Sequence, residues 1–228
     1  MAENGRYQSP NHDARPGGAA IDMVVLHYSG METADAALAR LCDPAAKVSA
    51  HYLIDEDGAV RRLVAEERRA WHAGVACWRG VRDVNGRSLG IELVNPGHEF
   101  GYRPFAEAQM AALEDLARGI LARHPIEARN VVGHSDVAPR RKMDPGELFD
   151  WPRLAAAGIG LWPDSAPPDE ADADEGEAKA MLADFGYETG DLGMTVTAFQ
   201  RHFRPRRVDG TMDGDTAGRL RGLLALCR

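Results

Sequence analysis

The 228-residue sequence has no feature of a membrane-spanning or secreted chain. It lacks any apolar run of about eighteen residues or more, the length that a helix needs to cross a bilayer. Its N-terminal segment, MAENGRYQSPNHDARPGG, lacks the basic start and the apolar core of a secretory signal. We therefore expect no membrane span and a cytoplasmic location, with a periplasmic location as the alternative if a leader was trimmed from the natural chain.

Cysteine is scarce, and the three cysteines are Cys42, Cys77 and Cys227. Their number is odd, they are far apart in the sequence, and none belongs to a CxxC pair. This pattern argues against both a disulfide framework and a cysteine-based zinc site. We expect three reduced thiols.

Basic residues are outnumbered, with 27 Lys and Arg against 35 Asp and Glu and a net charge of -8. This balance argues against a nucleic-acid partner. The acidic residues are unevenly placed, because residues 163–177, PDSAPPDEADADEGE, contain no basic residue and no large apolar side chain. Such a segment is typical of a solvated linker, and it predicts a first domain over residues 1–162 and a second over residues 178–228.

Three amphipathic segments follow the predicted linker: EAKAMLADFGY, MTVTAFQRHFRP and DTAGRLRGLLALC. Apolar residues recur in each at spacings of three and four positions, which indicates helices. The segments together predict a compact three-helix module. About fifty residues build only a small core, so we expect the module to be marginally stable by itself.

The first 162 residues alternate between strand and helix patterns, without an internal repeat. Strands are predicted from apolar runs at residues 21–28, 88–95 and 129–135, and from two runs within residues 51–64 joined by an Asp-Gly turn. Residues 104–124 have the apolar spacing of an amphipathic helix, with Pro104 in the first turn. Strands interleaved with helices predict an α/β fold in which helices pack on a sheet.

Three polar residues stand in or beside predicted core strands, where an unpaired polar group is unfavourable. His27 ends the first strand, Glu92 lies between two apolar residues, and His134 closes another strand. The simplest explanation of any one such histidine is a hydrogen-bonded structural residue. Together with Asp144 in the irregular loop after His134, however, the two histidines offer three ligands without a fourth. This is the ligand set of a catalytic zinc site, which keeps an open position for water.

Two charged residues fit such a site. Lys142 lies two residues before Asp144, so an extended backbone would place both side chains on one face, and the ammonium group would stabilise a developing oxyanion. Glu92, in apolar surroundings, would have a raised pKa and act as a general base. The spacing of these residues matches no short motif, and it leaves open the alternative that the charged loop is only a salt-bridged turn.

Five segments, in the order VVLHYSG, VSAHYLID, RAWHAG, RSLGIELVN and GHSDVAPRRKMDPG, resemble the zinc-dependent N-acetylmuramoyl-L-alanine amidases of the type 2 amidase family. The resemblance covers roughly residues 7–160 and includes the fold of peptidoglycan recognition proteins. It implies a mixed central β-sheet flanked by helices, with the active site in a groove above the sheet. Within the family, the chain is most similar to bacterial enzymes that remove stem peptides from anhydro-muropeptides.

The resemblance implies that His27, His134 and Asp144 bind Zn²⁺, that Glu92 is the catalytic base, and that Lys142 stabilises the tetrahedral intermediate. It implies hydrolysis of the amide bond between the lactyl group of N-acetylmuramic acid, or its anhydro form, and the L-alanine of the stem peptide. The expected partners are therefore soluble anhydro-muropeptides, in peptidoglycan recycling, or the sacculus, in wall turnover.

Four further residues are candidate substrate contacts through the same resemblance. Trp71 and His72 in RAWHAG fit a lip that contacts the sugar. Asn95 is expected to contact the substrate as well. For His51 there are two alternatives, a place in the groove or a buried place beneath the site.

The C-terminal segments GYETG, VTAFQRHFRP and DGDTAGRLRGLL resemble the three-helix peptidoglycan-binding domain type 1. This resemblance implies a small C-terminal domain that either binds wall glycopeptide or packs against its own enzyme. For the whole chain, three alternatives to an amidase are a non-catalytic muropeptide-binding protein, an assembly factor, and a zinc peptidase that cuts inside the stem peptide.

Overall fold

The computed structural model describes residues 8–163 and 171–227. Part of the predicted acidic linker, residues 164–170, lies outside the described residues. Within the described ranges, no helix combines the length and the apolar character that crossing a membrane requires. The three cysteines are free thiols, as expected.

A five-stranded mixed sheet forms the centre of the fold, and a two-stranded sheet accompanies it. The strands are β1 (His12–Ala14), β2 (Met23–Tyr28), β3 (Tyr52–Ile54), β4 (Val60–Arg62), β5 (Arg68–Ala70), β6 (Ser88–Leu93) and β7 (Val131–Gly133). The large sheet has the order β4-β3-β6-β2-β7, and only β4 runs antiparallel to its neighbour. The small sheet pairs β1 with β5. The strands predicted from the sequence all lie in the large sheet.

The described residues also form nine α-helices and one short 3₁₀ helix. They are α1 (Ala34–Cys42), α2 (Val84–Arg87), α3 (Gly97–Phe100), α4 (Glu107–Arg123), the 3₁₀ helix (Ala128–Asn130), α5 (His134–Val137), α6 (Trp151–Ala156), α7 (Glu175–Phe185), α8 (Leu192–Phe203) and α9 (Gly214–Leu226). Helices therefore flank a mixed sheet and three helices end the chain, which confirms the predicted fold class.

Alternation along β2 and β6 separates the two faces of the sheet, because successive side chains of a strand point in opposite directions. Val24 and Leu26 point towards α4 and α6 and join a buried cluster with residues of both helices. His27 therefore points to the opposite face, and Glu92 lies beside it in the parallel register of β2 and β6. The two polar residues share one face because of this register.

The C-terminal helices α7, α8 and α9 cover part of the face that carries His27. Their buried side chains form one continuous hydrophobic cluster with Met23, Val25 and Val132 of the sheet. Trp78 lies within this cluster, has no exposed surface, and packs edge-on against Phe185 with ring centroids 5.9 Å apart. The three predicted helices are present, and they share a core with the sheet.

The long helix α4 begins at Glu107. Pro104, which was predicted to lie in the first turn of this helix, therefore lies outside it. Ala106, directly before the helix, has an extended backbone. This extended entry lets the Phe105 ring pack edge-on against Phe149, with centroids 5.1 Å apart. Phe105 therefore lies outside the helix and packs against the buried cluster beside the sheet.

Helix α7 begins at Glu175, three residues before the predicted second domain and inside the predicted linker. The Asp174 carboxylate accepts a hydrogen bond of 2.8 Å from the N–H of Glu177 and caps the helix. Acidic residues are favourable at a helix N-terminus. The composition that indicated a linker therefore also suits the first turn of a helix.

Replacing Phe185 with alanine tests the shared core. We expect the free energy of unfolding to fall by about 3–5 kcal/mol, because a large buried ring is lost. Sheet and C-terminal helices should still unfold in one transition, since they share a cluster. Denaturant unfolding followed by circular dichroism and by tryptophan fluorescence measures both, with Leu226→Ala, at a side chain 58% exposed, as a control of small effect. Two separate transitions, only one of them moved by the substitution, would contradict a shared core.

Candidate active site

Three side chains converge near the carboxyl ends of two neighbouring parallel strands, where open α/β sheets place their ligands. His27 belongs to β2, His134 begins α5 directly after β7, and Asp144 follows in the next loop. Nδ1 of His27 lies 2.9 Å from Nδ1 of His134 and 3.0 Å from Oδ2 of Asp144, and the last two atoms are 3.0 Å apart. All three residues are buried. The structure thus brings together the residues predicted as zinc ligands, although His134 starts a helix and does not end a strand.

A backbone carbonyl selects the tautomer of His134. Nε2 of His134 lies 3.0 Å from the carbonyl oxygen of Ala73, which only accepts, so Nε2 carries the hydrogen. In the neutral ring, Nδ1 then presents a lone pair. Arg141 donates to the carbonyl groups of Ala73 and Val75, at 3.0 and 3.1 Å, and holds this part of the backbone in place.

A chain of three hydrogen bonds selects the tautomer of His27. The Ser88 hydroxyl donates to the Val84 carbonyl at 2.6 Å, so its oxygen accepts from Nε2 of His72 at 3.1 Å. Burial, with the nearby His27 next in effect, holds the pKa of His72 well below its usual value, so this ring is neutral. Nδ1 of His72 therefore accepts from Nε2 of His27 at 3.1 Å. The lone pair of His27 Nδ1 is left facing the other two converging atoms.

When both rings are neutral, these tautomers leave two imidazole lone pairs and a carboxylate oxygen facing one another. Burial, followed by the neighbouring His134, lowers the pKa of His27 to about 4, so this ring supplies no proton at neutral pH. Acceptors gathered in this way are stabilised by a bound cation. Neutral histidine nitrogens and one carboxylate oxygen, three donors without a fourth, fit zinc with an open position.

Glu92 stands beside this group, on β6 and in register with His27. Its Oε2 atom is buried and has no hydrogen-bond partner among the described residues. Burial raises the pKa of Glu92 well above its usual 4.5; Asp144 raises it further, and Lys142 partly opposes the shift. A carboxyl group with a raised pKa exchanges protons closer to neutral pH, as a general base and acid must.

An open cavity of about 550 Å³ connects these groups with the surface, and its lining includes His27, His134, Asp144, Glu92 and Lys142. The N–H of Lys142 donates to the Ala138 carbonyl at 3.1 Å, so a turn delivers the lysine to the cavity. A cation, a proton-exchanging carboxyl group and a three-donor cluster therefore share one solvent-accessible space.

Two of the predicted substrate contacts lie at this cavity. Trp71 is half-buried in the cavity wall, a position that suits contact with a substrate. His72 is buried, and its two ring nitrogens are engaged by His27 and Ser88. His72 therefore supports the predicted ligand His27 through this hydrogen bond, and its contact with the sugar stays a prediction.

The other two predicted contacts are held within the protein. His51 has no exposed surface, its Nδ1 accepts from the N–H of Gly90 at 3.0 Å, and burial lowers its pKa to about 3. This is the buried alternative considered for His51. Asn95 is also buried, and its amide group bonds to the backbone of Gly97 and Arg103 at 3.0 and 2.8 Å. The backbone therefore holds the Asn95 amide, and substrate contact at Asn95 stays a prediction.

Sequence reasoning missed the residues that support the histidines, above all Ser88 and Gly90. A Cβ atom at Gly90 would overlap the ring of His72, so only glycine lets that ring lie across the strand. An isolated glycine inside an apolar strand often marks such a close approach. The glycine at position 90 was therefore a sequence pattern that could have indicated this contact. The role of Ser88 had no comparable sign in the sequence.

Replacing Ser88 with alanine tests the hydrogen-bond chain behind His27. We expect zinc affinity to fall by about tenfold, the lower end for residues that orient a metal ligand, because His72 loses its acceptor. Competition with a chromophoric chelator measures the affinity. Ser9→Ala, which removes another buried hydroxyl bonded to a carbonyl, that of Leu41, should leave it unchanged. Equal affinity in parent and Ser88→Ala would show that His72 does not depend on Ser88.

The raised pKa of Glu92 predicts a pH-dependent penalty in the metal-free protein. At a pH below 4.5, the usual pKa of this carboxyl group, Glu92 is protonated in both the folded and the unfolded chain. As pH rises further, the unfolded chain releases the proton first, so the free energy of unfolding decreases until the folded pKa is passed. Glu92→Gln lacks this titration. We expect denaturant unfolding at pH 7 to show a higher free energy of unfolding for the variant than for the parent. The difference between the two free energies should shrink towards pH 4.5. A difference that does not change with pH would contradict this prediction.

Comparison with known proteins identifies the family of this chain. Residues 17–147 match the family model described as Amidase_2, N-acetylmuramoyl-L-alanine amidase. The N-acetylmuramoyl-L-alanine amidase AmiD of Escherichia coli (strain K12) is 38% identical over 232 residues, which cover 90% of this chain and 82% of that protein. The 1,6-anhydro-N-acetylmuramyl-L-alanine amidase AmpD of Salmonella typhimurium (strain SL1344) is 35% identical over 173 residues, which cover 68% of this chain and 90% of that protein.

A solved structure is similar over almost the whole chain. It is the complex of Escherichia coli AmiD with anhydro-N-acetylmuramic acid-L-Ala-D-gamma-Glu-L-Lys. The TM-score is 0.83 at 36% sequence identity, and the match covers 97% of this chain and 93% of that chain. The family match spans the segments that contain His27, Glu92 and His134. The chain belongs to the N-acetylmuramoyl-L-alanine amidase family, as its five segments predicted.

Proposed function

We propose that this amidase uses zinc to hydrolyse the amide bond between the lactyl group of N-acetylmuramic acid, in its ordinary or 1,6-anhydro form, and the L-alanine of the stem peptide. One observation carries the proposal: the lone pairs of His27, His134 and Asp144 converge beside Glu92, a carboxyl group with a raised pKa. This combination supplies a site for a Lewis acid and a proton acceptor in one cavity.

The substrate class is proposed from the relatives. The Salmonella enzyme is named for the 1,6-anhydro form, and the Escherichia coli complex contains anhydro-N-acetylmuramic acid joined to a peptide. A soluble anhydro-muropeptide is therefore the proposed substrate, and the intact sacculus is the substrate to compare with it. Preference for the fragment fits recycling in the cytoplasm, whereas preference for the sacculus fits wall turnover in the periplasm.

The zinc ion would be held by Nδ1 of His27, Nδ1 of His134 and Oδ2 of Asp144. Zinc with three protein donors and an open position activates water as a nucleophile near neutral pH and polarises a carbonyl group. The bonds from His27 to His72 and from His134 to the Ala73 carbonyl keep both rings in the tautomer that offers Nδ1. Such outer partners also fix the ring orientation.

Glu92 is the proposed general base. Its carboxylate accepts a proton from the attacking water and afterwards delivers it to the departing L-alanine nitrogen, so the group returns to its starting state. Burial serves both halves of this exchange, because it raises the proton affinity of Glu92 towards that needed at neutral pH.

Lys142 is proposed to stabilise the oxyanion that develops on the attacked carbonyl. A cation at the cavity wall favours negative charge that forms during the reaction. Around this charged centre, Trp71, Phe100 and Met143 line the cavity, and the last two side chains are 52% and 41% exposed. These apolar surfaces suit the sugar and lactyl parts of the substrate.

The first test is product analysis. Zinc-loaded protein is incubated with a disaccharide anhydro-tripeptide and, in parallel, with purified sacculi, and mass spectrometry identifies the products. We expect intact tripeptide and peptide-free disaccharide, lost on chelation and restored by zinc. Shorter peptides would indicate a zinc peptidase, and no cleavage despite bound zinc would favour the non-catalytic muropeptide-binding alternative.

Two substitutions separate binding of the metal from catalysis. Glu92→Gln should retain zinc and lose about 100-fold to 10,000-fold in kcat, the usual range for a general base. His134→Ala should lose zinc, measured by elemental analysis after gel filtration. Glu67→Gln, at a side chain 80% exposed, is the matched control with unchanged zinc and kcat. Near-normal turnover in zinc-loaded Glu92→Gln would exclude Glu92 as the base.

A further inference from the structure

One buried carboxylate joins the segment around His134 to the C-terminal helices. Asp136 has no exposed surface. Its Oδ2 accepts from the N–H of Gly133 and from Nδ1 of His202, both at 2.7 Å, and its Oδ1 accepts from the hydroxyl of Tyr187 at 2.6 Å. Gly133 and Asp136 enclose His134 in the sequence, whereas Tyr187 and His202 belong to the C-terminal module. The metal-ligand segment and the module therefore share a hydrogen-bonded centre.

The two donors from the module are held in place by packing. The ring of His202 stacks on Trp151 of α6, with centroids 3.6 Å apart and an angle of 21° between the planes. The ring of Tyr187 packs edge-on against Trp78, with centroids 5.1 Å apart. Tyr187 is 4% and His202 3% exposed, so water does not compete for Asp136 at these positions.

The same helix, α8, also approaches the loop that follows Asp144. Nε of Arg201 lies 3.9 Å from Oε2 of Glu147, and Glu147 is bonded to Nε2 of His98 at 3.2 Å. Two consecutive residues of α8, Arg201 and His202, therefore contact the segments that carry the second and third predicted zinc ligands.

Loss of the donors from Tyr187 and His202 would leave Asp136 with a single backbone N–H. A buried carboxylate without sufficient partners is strongly unfavourable, so the segment would shift to bring the group towards water. Because Asp136 is two residues from His134 in the short helix α5, such a shift would move His134 as well. A domain that served only to attach the enzyme to peptidoglycan would not need the hydrogen bonds from Tyr187 and His202 to Asp136.

We propose that the C-terminal module is a positioning element of the zinc site. Tyr187 and His202, acting through Asp136, hold His134 in the orientation in which its Nδ1 faces the other two ligands. This inference rests on the proposed zinc-dependent function. It selects the alternative in which the module packs against its own enzyme, while glycopeptide binding by the module stays a separate prediction.

The test uses Tyr187→Phe, His202→Phe and the double variant in the full chain. Each substitution removes a donor and keeps an aromatic ring, so packing is retained. We expect the double variant to bind zinc about tenfold more weakly than the parent, as found for residues that orient a ligand from outside. We also expect an altered visible absorption spectrum of the cobalt-substituted protein, since that spectrum reports the ligand geometry.

The matched control is Gln200→Ala in the same helix. The side-chain amide of Gln200 bonds to the backbone of Asp209, Gly210 and Thr211, inside the module. We expect this variant to lose stability in denaturant unfolding, with zinc affinity and cobalt spectrum unchanged at temperatures where all variants are folded. His202→Asn, which keeps a donor but loses the stacked ring, should retain more zinc affinity than His202→Phe.

Unchanged zinc affinity and spectrum in the double variant would overturn the positioning role. Equal weakening by Gln200→Ala would also overturn it, because the effect would then follow general stability. A parent protein that binds no zinc would instead overturn the proposed function, so the two failures have different signatures.

Discussion

The convergence of two imidazole nitrogens and one carboxylate oxygen, at His27, His134 and Asp144, is the constraint on which the rest of the site depends. Acceptors 2.9–3.0 Å apart repel one another until a cation is bound, so the surrounding protein must enforce their positions. The carbonyl groups of Val84 and Ala73 do so, because a carbonyl never donates and each hydrogen bond behind the rings therefore has only one possible direction. Backbone atoms thus decide which nitrogen of each histidine faces the site.

Parts of this arrangement were predictable from the sequence, and parts were not. His27 and Glu92 were recognisable because a polar residue in an apolar strand demands an explanation, and the register of β2 and β6 then places them side by side. The supporting groups have no comparable pattern, since every residue carries a carbonyl and a serine in a strand is ordinary. The resemblance left two alternatives for His51, a place in the groove or one beneath the site. The sequence could not decide between them, because burial depends on contacts between distant parts of the chain.

The C-terminal module shows the same limit at a larger scale. Helical spacing predicted its three helices, and the acidic segment before it indicated a separate unit. Neither pattern contains the contact between α7–α9 and the sheet, which depends on the complementary shapes of Met23, Val25 and their partners. Asp136 was equally inconspicuous, because an aspartate in a segment rich in charged residues is most simply a solvated residue. Its burial between two elements is a property of the tertiary structure alone.

The shared core also has a consequence for the order in which the protein is made. Chains leave the ribosome N-terminus first, so β2 and β7 are synthesised before α7, α8 and α9. Until those helices emerge, the sheet face at Val25 remains uncovered and Asp136 lacks its donors from Tyr187 and His202. The proposed catalytic residues are therefore synthesised before Tyr187 and His202, the two side chains proposed to hold His134 in place. On the proposed positioning role, the metal site would be completed, and hydrolysis would begin, only after α8 has been synthesised.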